Sequence, residues 1–369
     1  MARIDKSRRS FLRGAAGIGT AGLIPSIGWA AAGSPDYLAA AALPAGGYCL
    51  VGITGAGGEC FRLPLPDRGH AAAAHPERPE AVAFARRPGT FALVIDCAEG
   101  REIARLTTPE DRHFYGHGAF TADGSLLFTT ENAISEGTGR LGIWDAMRGY
   151  RRVGEIPTGG TEPHEVRLMP DGERFAVANG GLETDPTSGR TNLNVATMES
   201  NLAYIDAASG EILEVLSLPE PLRLLSIRHI AAGQDGTLAA AMQWQGSETD
   251  TPPLLTVHRP GAGALALFSA EPGLQRRLRN YAGSVAVSDD GRLAALTAPK
   301  GGLMLVFDLA TGETEEVVAA ADICGVAPAG FGFACSTGEG HFLTRGPAGF
   351  EGAEVRLPDL AFDNHLIRI

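Results

Sequence analysis

Short apolar runs alternate with turn pairs along most of the chain. Each turn pair follows one strand-like run and precedes another, at Asp123-Gly124, Asp171-Gly172, Asp235-Gly236 and Asp290-Gly291. The runs that follow these pairs read SLLFTTEN, RFAVANGG, TLAAAMQW and RLAALTAP. A third run then ends in aspartate and a turn, and a fourth run closes the unit. This pattern predicts repeated units of four short antiparallel strands.

The length of the repeat predicts an all-β, seven-bladed β-propeller with four antiparallel strands per blade. About 337 residues follow residue 32, and blades of about 40–50 residues divide that length into seven. Polar excursions at Leu182–Ser200 and Gly246–Pro260 lengthen the third and fourth blades. Tyr48–Pro66 supplies part of a blade without its innermost strand. Phe362–Ile369 has the pattern of that strand, so we expect the C-terminal strand to close the ring.

The N-terminus has the features of an export signal. SRRSFLR, at Ser7–Arg13, is a twin-arginine motif, and the weakly apolar stretch Gly14–Ala32 follows it with five glycines and one proline. Small residues at Gly28–Ala32 offer a cleavage site. We therefore expect residues 1–32 to be a signal peptide and residues 33–369 to be one periplasmic domain without stable membrane insertion. Export in the folded state favours a metal or cofactor loaded beforehand.

The charge of the chain narrows the classes of partner. Removing residues 1–32 takes away five of 31 basic and one of 43 acidic residues, which leaves a formal net charge of −16. Such a field repels phosphate backbones and anionic lipids, so nucleic acid and membrane surfaces are excluded as expected partners. It favours a cation.

Five cysteines are an odd number for an oxidising compartment. A two-residue turn at Ala329-Gly330 would place Cys324 opposite Cys335 and allow a cross-strand disulfide. Cys49 and Cys60 form a weaker second pair, and Cys97 reads as a small buried hydrophobe. A thiolate ligand at Cys324 is the competing interpretation.

The first strands of the units carry histidine at one register. Five of the seven positions are His70, His117, His164, His229 and His365, and the other two are Ser284 and Gly325. Because first strands line the central channel of a propeller, these side chains should form a ring on the axis. A ring of imidazoles suits a transition metal such as copper, iron or zinc.

Several arrangements of the ring stay open. Three ligands with two supporting donors, a multinuclear centre and a purely structural ring all fit the sequence. The Ser284 and Gly325 positions would leave one sector open for water or substrate. The four remaining histidines lie outside the register and are expected on the surface or in loops: His75, His113, His258 and His341.

Other polar residues should lie near the same mouth, where they would orient the imidazoles or bind an anion. Four end second strands, and these are Glu131, Asn132, Asn179 and Gln243. Four flank first strands, and these are Tyr115, Arg228, Tyr281 and Asn364. Nucleophile-elbow, phosphate-loop, haem-attachment and zinc-protease motifs are absent from the sequence. The histidine ring is thus the sole support for enzymatic chemistry.

The run HFYGHGAFTADGSLLFTTEN, together with PHEVRLMPDG, VANGG, LSIRHIA, RNYAGSVA, CGVAP and DNHL, resembles the domain of unknown function 1513 family of bacterial proteins. That resemblance implies an exported seven-bladed propeller, encoded beside imelysin-type and di-haem peroxidase-like proteins. These proteins are the implied partners, and periplasmic iron or copper handling is the implied role. The chain is more loosely similar to nitrous oxide reductase, whose propeller holds copper with histidines, but it lacks that enzyme's second copper domain.

Three functions therefore compete. The first is metal binding through the ring for uptake or homeostasis. The second is a metal-dependent oxidoreductase or hydrolase at the same site. The third is an interaction scaffold for an imelysin-like or haem protein, with a structural ring.

Overall fold

The computed structural model describes residues 28–86, 90–185, 191–346 and 352–369. These residues form seven four-stranded antiparallel sheets, which confirms the seven-bladed propeller. The twin-arginine motif lies outside the described residues. Trp29–Ala32 forms a 3₁₀ turn that packs on the propeller, where Trp29 Nε1 donates a hydrogen bond to the carbonyl of His75 at 3.0 Å.

Blades 1 to 4 follow one another along the chain. Blade 1 contains β4 (Gly69–Ala74), β5 (Glu80–Ala85), β6 (Ala92–Asp96) and β7 (Arg101–Leu106), and blade 2 contains β8 (Arg112–Phe120), β9 (Leu126–Ala133), β10 (Thr138–Asp145) and β11 (Arg151–Pro157). Blade 3 contains β12 (Pro163–Leu168), β13 (Arg174–Asn179), β14 (Asn201–Asp206) and β15 (Ile212–Ser217). Blade 4 contains β16 (Leu225–Ala232), β17 (Leu238–Trp244), β18 (Leu255–His258) and β19 (Ala266–Phe268).

Blades 5 and 6 continue the series, and blade 7 joins the two ends of the chain. Blade 5 contains β20 (Ser284–Val287), β21 (Leu293–Ala298), β22 (Leu303–Asp308) and β23 (Thr314–Ala319). Blade 6 contains β24 (Ile323–Ala329), β25 (Gly332–Thr337), β26 (His341–Arg345) and β27 (Glu354–Arg356). Blade 7 contains β28 (Ala361–Arg368), β1 (Tyr37–Ala42), β2 (Tyr48–Ile53) and β3 (Glu59–Leu65).

The described helices are short. They are α1 (Pro272–Arg277) and the 3₁₀ turns Trp29–Ala32, Ala146–Arg148, Val195–Thr197, Glu220–Leu222 and Pro299–Gly301. No helix in the described ranges has the length and apolar composition needed to cross a bilayer.

The C-terminal strand closes the ring as predicted. In β28, Leu366 pairs with Ala39 of β1, and β28 is the innermost strand of blade 7. The sequence pattern missed β1, because its YLAAAA run is rich in alanine, which has low β-propensity. The seven innermost strands contact one another in order around the axis.

The hydrophobic core lies between neighbouring blades. Both faces of each sheet are covered, so a second strand such as Leu293–Ala298 is buried along its whole length. Phe128 of blade 2 packs on Phe175 of blade 3 with ring centroids 4.5 Å apart. Seven such interfaces hold the innermost strands rigidly around the axis, which is the condition for a precise axial site.

One of the two predictions about irregular segments needs correction. The excursion predicted at Gly246–Pro260 contains β18, the third strand of blade 4. Its two prolines at 252 and 253 precede the strand and leave its pairing intact. The excursion predicted at Leu182–Ser200 does separate β13 from β14, and its described part includes the turn Val195–Thr197.

The disulfide predicted between Cys324 and Cys335 is wrong, and all five cysteines are free thiols. The β24–β25 hairpin turns one residue later than predicted, so Cys335 pairs with Val326, and a bulge that contains Cys324 lies beyond this pair. Cys324 Sγ instead lies 3.4 Å from the carbonyl of Ser336, and burial raises its pKa to about 12. Cys49 and Cys60 are not joined either, because Cys49 pairs across β2–β3 with Pro64. Cys97 is buried as predicted.

Candidate metal centre

The innermost strands depart from regular pairing where they carry histidine. In β12, Pro163 and Glu165 pair with adjacent residues of β13, so His164 is an extra residue between them. A bulge bends a strand and re-aims its side chains. The register also shifts across His70, His117 and His365 in their strands. In β16 the extra residue is Arg228, and His229 beside it pairs with Ala241.

The five imidazoles meet on the axis. The Nε2 atoms of His70 and His117 are 3.2 Å apart. The ring centroid of His365 lies 4.5 Å from that of His70, 4.7 Å from that of His117 and 4.5 Å from that of His229. Two nitrogen ligands at about 2.0–2.1 Å from one metal ion are themselves roughly 3–3.5 Å apart. The His70–His117 separation therefore matches one edge of a coordination sphere.

Two trios of histidines have the spacing of a metal site. The ligand nitrogens of His70, His117 and His365 all lie within 4.8 Å of one another, and so do those of His117, His164 and His229. His117 belongs to both trios. The ring is thus better suited to one ion, or to two ions that divide the ligands, than to five ligands on one ion.

Buried carboxylates stand behind the imidazoles, and the sequence analysis missed them. Glu165 Oε2 is 3.2 Å from His229 Nδ1 and 4.0 Å from His117 Nδ1. Asp363 Oδ1 is 3.7 Å from His70 Nδ1. A carboxylate on Nδ1 fixes the tautomer and leaves the Nε2 lone pair for a metal. Each carboxylate contacts a histidine of another blade. The histidine closest to it in the sequence is therefore not the histidine that it contacts.

Arginines neutralise these carboxylates. Asp363 pairs with Arg68 at 2.7 Å and with Arg86 at 2.5 Å. Burial raises the pKa of Asp363, but His70, followed by Arg86 and Arg68, holds it below the usual range. Glu165 pairs with Arg167 at 3.3 Å. Buried charges are stable only when they are paired, so the negative charge around the ring is already compensated.

His164 differs from the other four histidines. Arg228 Nη1 lies 3.1 Å from His164 Nδ1 and 2.5 Å from Glu162 Oε1. A guanidinium only donates hydrogen bonds, so His164 Nδ1 accepts and the ring proton sits on Nε2. His164 therefore presents an N–H group. Glu162, which anchors Arg228, is fully buried and has a positive φ of 55°, a strained conformation typical of functional sites.

The imidazoles with lone pairs facing inward are neutral. Burial lowers the pKa of His117, His229 and His365 well below 6.5. The other histidines of the ring lower it further, because each would repel a second positive charge beside it. His365 Nε2 is buried and has no hydrogen-bond partner among the described residues. Buried polar atoms are normally satisfied, so this nitrogen indicates a missing ligand.

A polar cavity of about 170 Å³ opens beside the ring. Its lining contains Arg86, three ring histidines (His70, His164 and His229) and five of the eight polar residues predicted near the mouth, namely Tyr115, Arg228, Gln243, Tyr281 and Asn364. Asn364 Nδ2 donates to the Tyr281 hydroxyl at 3.2 Å. On the other side of the ring, a second cavity of about 240 Å³ is lined mostly by small residues together with His117, Glu165 and Arg167.

The remaining three predicted residues do not line the polar cavity. Glu131 accepts hydrogen bonds from Arg152 and Thr129 within blade 2. Asn179 donates to Asn201 on the next strand of blade 3. Asn132 donates to the carbonyl of Thr184 at 3.3 Å. Their side chains make hydrogen bonds within the blades and to the connections between strands. The position of these residues at strand ends in the sequence did not predict these hydrogen bonds.

The two positions without histidine are filled. Ser284 is buried in a regularly paired strand. A Cβ on Gly325 would lie 2.9 Å from the backbone of His365 and Leu366. The open sector predicted at Gly325 is therefore occupied by β28, and only glycine lets that strand approach so closely.

The glycines around His117 have separate functions. Gly116 has a φ of 99°, and a Cβ there would lie 2.9 Å from His70 Cδ2. It allows both the bulge and the His70–His117 contact. A Cβ on Gly118 would meet Phe84 and Phe128, so this glycine serves the packing of the blades.

The prediction that the other histidines lie on the surface or in loops is wrong for His113 and His258, which are buried in strands β8 and β18. His75 lies in the loop between β4 and β5, although it too is buried. His75 Nδ1 accepts hydrogen bonds from two backbone N–H groups, and its Nε2 lies 3.1 Å from the carbonyl of Gly124. His258 contacts Tyr204 at 2.8 Å. These two are satisfied structural groups in turns and blade interfaces.

Comparison with known proteins supports the fold. Among solved structures, hydrazine synthase from Kuenenia stuttgartiensis is similar, with a TM-score of 0.61, 14% identity and coverage of 85% of this chain and 90% of that one. Comparison with curated proteins found no match. The model of the family described as "Protein of unknown function (DUF1513)" matches residues 63–369. Because this match spans well over half of the sequence, the protein belongs to the DUF1513 family.

Proposed function

We propose that this protein binds a transition-metal ion on the propeller axis. His70, His117 and His365 supply Nε2 ligands, His229 is the adjacent fourth donor, and His164 supports the site through its N–H. The observation that carries the proposal is the buried, unpartnered Nε2 of His365, whose ring centroid lies within 4.7 Å of those of all three other ligands.

Neutral imidazoles suit copper, zinc and iron, and for a given nitrogen site copper(II) binds most tightly of the three. The bound ion would supply Lewis acidity or a redox couple. Glu165 orients His229 through a hydrogen bond of 3.2 Å, Glu165 and Asp363 lie within ionic distance of His117 and His70, and the packed blades hold these side chains in place. We therefore propose copper as the preferred ion, with iron as the second candidate.

The proposed biological role is metal uptake or homeostasis in the periplasm. Its support is the twin-arginine motif at Ser7–Arg13 and the resemblance of the sequence to exported propellers. An imelysin-like or di-haem peroxidase-like protein is the proposed partner in this role. Copurification from the periplasm with each of these proteins tests the assignment.

The metal content of protein purified from the periplasm without chelator tests the binding. We expect about one equivalent of copper or iron, retained on gel filtration. His117→Gln should lose it, whereas His341→Gln should keep it, because His341 pairs with Glu354 on the outer strands of blade 6. Thermal unfolding of each variant verifies folding. Protein that retains no copper, iron or zinc even after loading and desalting contradicts the proposal.

A metal-dependent enzyme is the second candidate. The polar cavity favours it, since His70, His164 and His229 border a space of about 170 Å³. A storage or transfer site has no need for room beside its ligands. Turnover of a test substrate by the loaded protein, lost in His117→Gln, would support this candidate.

A further inference from the structure

Once a metal ion is bound, the charges around the ring favour an anion as its further ligand. Each buried carboxylate already has an arginine partner: Asp363 has Arg68 and Arg86, Glu165 has Arg167, and Glu162 has Arg228. Histidine binds a metal ion as a neutral imidazole, so the ligands bring no negative charge to the ion. A divalent ion would therefore bring two positive charges into a buried site without compensation, and such charges are costly unless they are paired.

Arg228 has hydrogen-bonding capacity left on the cavity side. Its side chain is only 7% exposed and lines the polar cavity. Its hydrogen bonds to Glu162 and His164 are both made by Nη1. Nε and Nη2 have no hydrogen-bond partner within the described part of the chain, and Nε is fully buried. A buried guanidinium with free donors is a typical binder of carboxylates.

Arg228 also fixes the protonation of His164, which lies next to it. Because Arg228 donates to its Nδ1, the proton of His164 lies on Nε2, and His164 also lines the cavity. Its ring centroid is 4.8 Å from that of His229 and 5.5 Å from that of His117. An N–H group in this position faces ligands of a metal ion without competing for the ion.

We propose that the polar cavity holds a small carboxylate that completes the coordination of the metal, with Arg228 as its hydrogen-bond donor. The inference deepens the proposed function and rests on it. The volume of the cavity limits this ligand to a few heavy atoms. Tyr115 and Tyr281 lie on the wall of the same cavity and offer hydroxyl groups to it.

Formate is the probe for this site. Copper(II)-loaded protein is titrated with sodium formate at constant ionic strength, with sodium chloride as the reference, and the visible and electron paramagnetic resonance spectra of copper are followed. We expect a saturable spectral shift with formate. Arg228→Lys should weaken formate binding about tenfold with unchanged copper content, because lysine keeps the charge beside Glu162 but lacks the planar donor pair.

Arg167→Lys is the matched control. It makes the same change beside Glu165, on the other side of the ring, so its affinity for formate should equal that of the wild type. If Arg228→Lys folds poorly, the double variant Glu162→Gln/Arg228→Met removes both buried charges together and should also weaken formate binding. Neither of these two variants is expected to bind formate as tightly as the wild type.

The outcomes separate the two proposals. Protein that binds no copper, iron or zinc overturns the proposed function and this inference with it. Bound copper without a response to formate, or an equal loss in Arg167→Lys, overturns this inference alone. Selective ¹⁵N labelling of histidine gives an independent readout, since His164 should keep its Nε2 proton after metal binding. Metallation of His164 Nε2 would contradict the assignment.

Discussion

Blades 1 to 4 and 7 differ from blades 5 and 6 at the axis, although all seven have the same four-stranded architecture. Each of the five former blades turns a histidine inward at a bulge. In blade 5, Ser284 to Val287 pair regularly with β21. Blade 6 does have a bulge, but it carries Cys324 and Gly325. The repeat thus sets the position on the axis, while the bulge and the residue type together set its chemistry.

The difference also divides the ring itself. His365, His70 and His117 come from the consecutive blades 7, 1 and 2 and form one compact trio. His164 and His229 follow on blades 3 and 4 and close the arc. Blades 5 and 6 contribute packing, and the polar cavity reaches their side of the axis through Tyr281. The five histidines share one register in the sequence, but in the structure they all come from one side of the ring of blades.

The largest expected effect comes from removing one ligand of the trio. Structural metal sites bind with about 10–16 kcal/mol shared by four ligands, so His365→Gln should lower copper affinity by roughly 3 kcal/mol, or about 100-fold. Ser284→Ala changes the matching position of a blade without histidine and should leave the affinity unchanged. Competition titration with a chelator measures both. Equal affinities would mean that the five blades do not differ from the other two in metal binding.

The next effect concerns a histidine of blade 1 that lies off the axis. Burial, followed by the charge of Arg78, lowers the pKa of His75 to about 4. Between pH 6.5 and 4 the unfolded chain binds a proton there that the folded protein does not, so the free energy of unfolding falls as the pH drops. The contribution is at most about 3 kcal/mol over this window.

Urea unfolding at several pH values checks this expectation. His75→Gln should reduce the slope of stability against pH by up to one proton between pH 6.5 and 4. An unchanged slope would show that His75 does not remain neutral in the folded protein.

A smaller effect is expected at the glycine of blade 6. Gly325→Ala places a methyl group 2.6 Å from Ser336 Oγ and 2.9 Å from the backbone of β28, so it should destabilise the protein by about 1–3 kcal/mol. Gly154→Ala is the matched control, because a Cβ there meets nothing within 4 Å. Equal unfolding midpoints for the two variants would place β28 further from Gly325.

The smallest effect is expected from Cys324→Ser. Its buried thiol lies at the carbonyls of Ser336 and Phe362, and Cys324 belongs to neither trio of candidate ligands among the described residues. The metal content of this variant should equal that of the wild type within error. A loss of metal would extend the site into blade 6 and weaken the contrast between the two groups of blades.

Several elements were predictable because they depend on local patterns. Asp-Gly turns and alternating apolar runs marked the strands, and a constant register marked the axial histidines. The alanine-rich β1 and the proline-preceded β18 were missed because their local signals are weak. The disulfide prediction failed because a shift of one residue at a hairpin turn moves every partner across the strands.

The sequence by itself determined the repeat, the number of blades and the five histidines at one register, since these follow from periodicity along the chain. Only the tertiary structure decided how the imidazoles face one another. Bulges re-aim the side chains, and Glu165 and Asp363 act on histidines of other blades. Arg228 and His164 lie 64 residues apart in the chain, yet their contact sets the tautomer of His164. Contacts between blades depend on how the ring closes, and no local pattern encodes that closure.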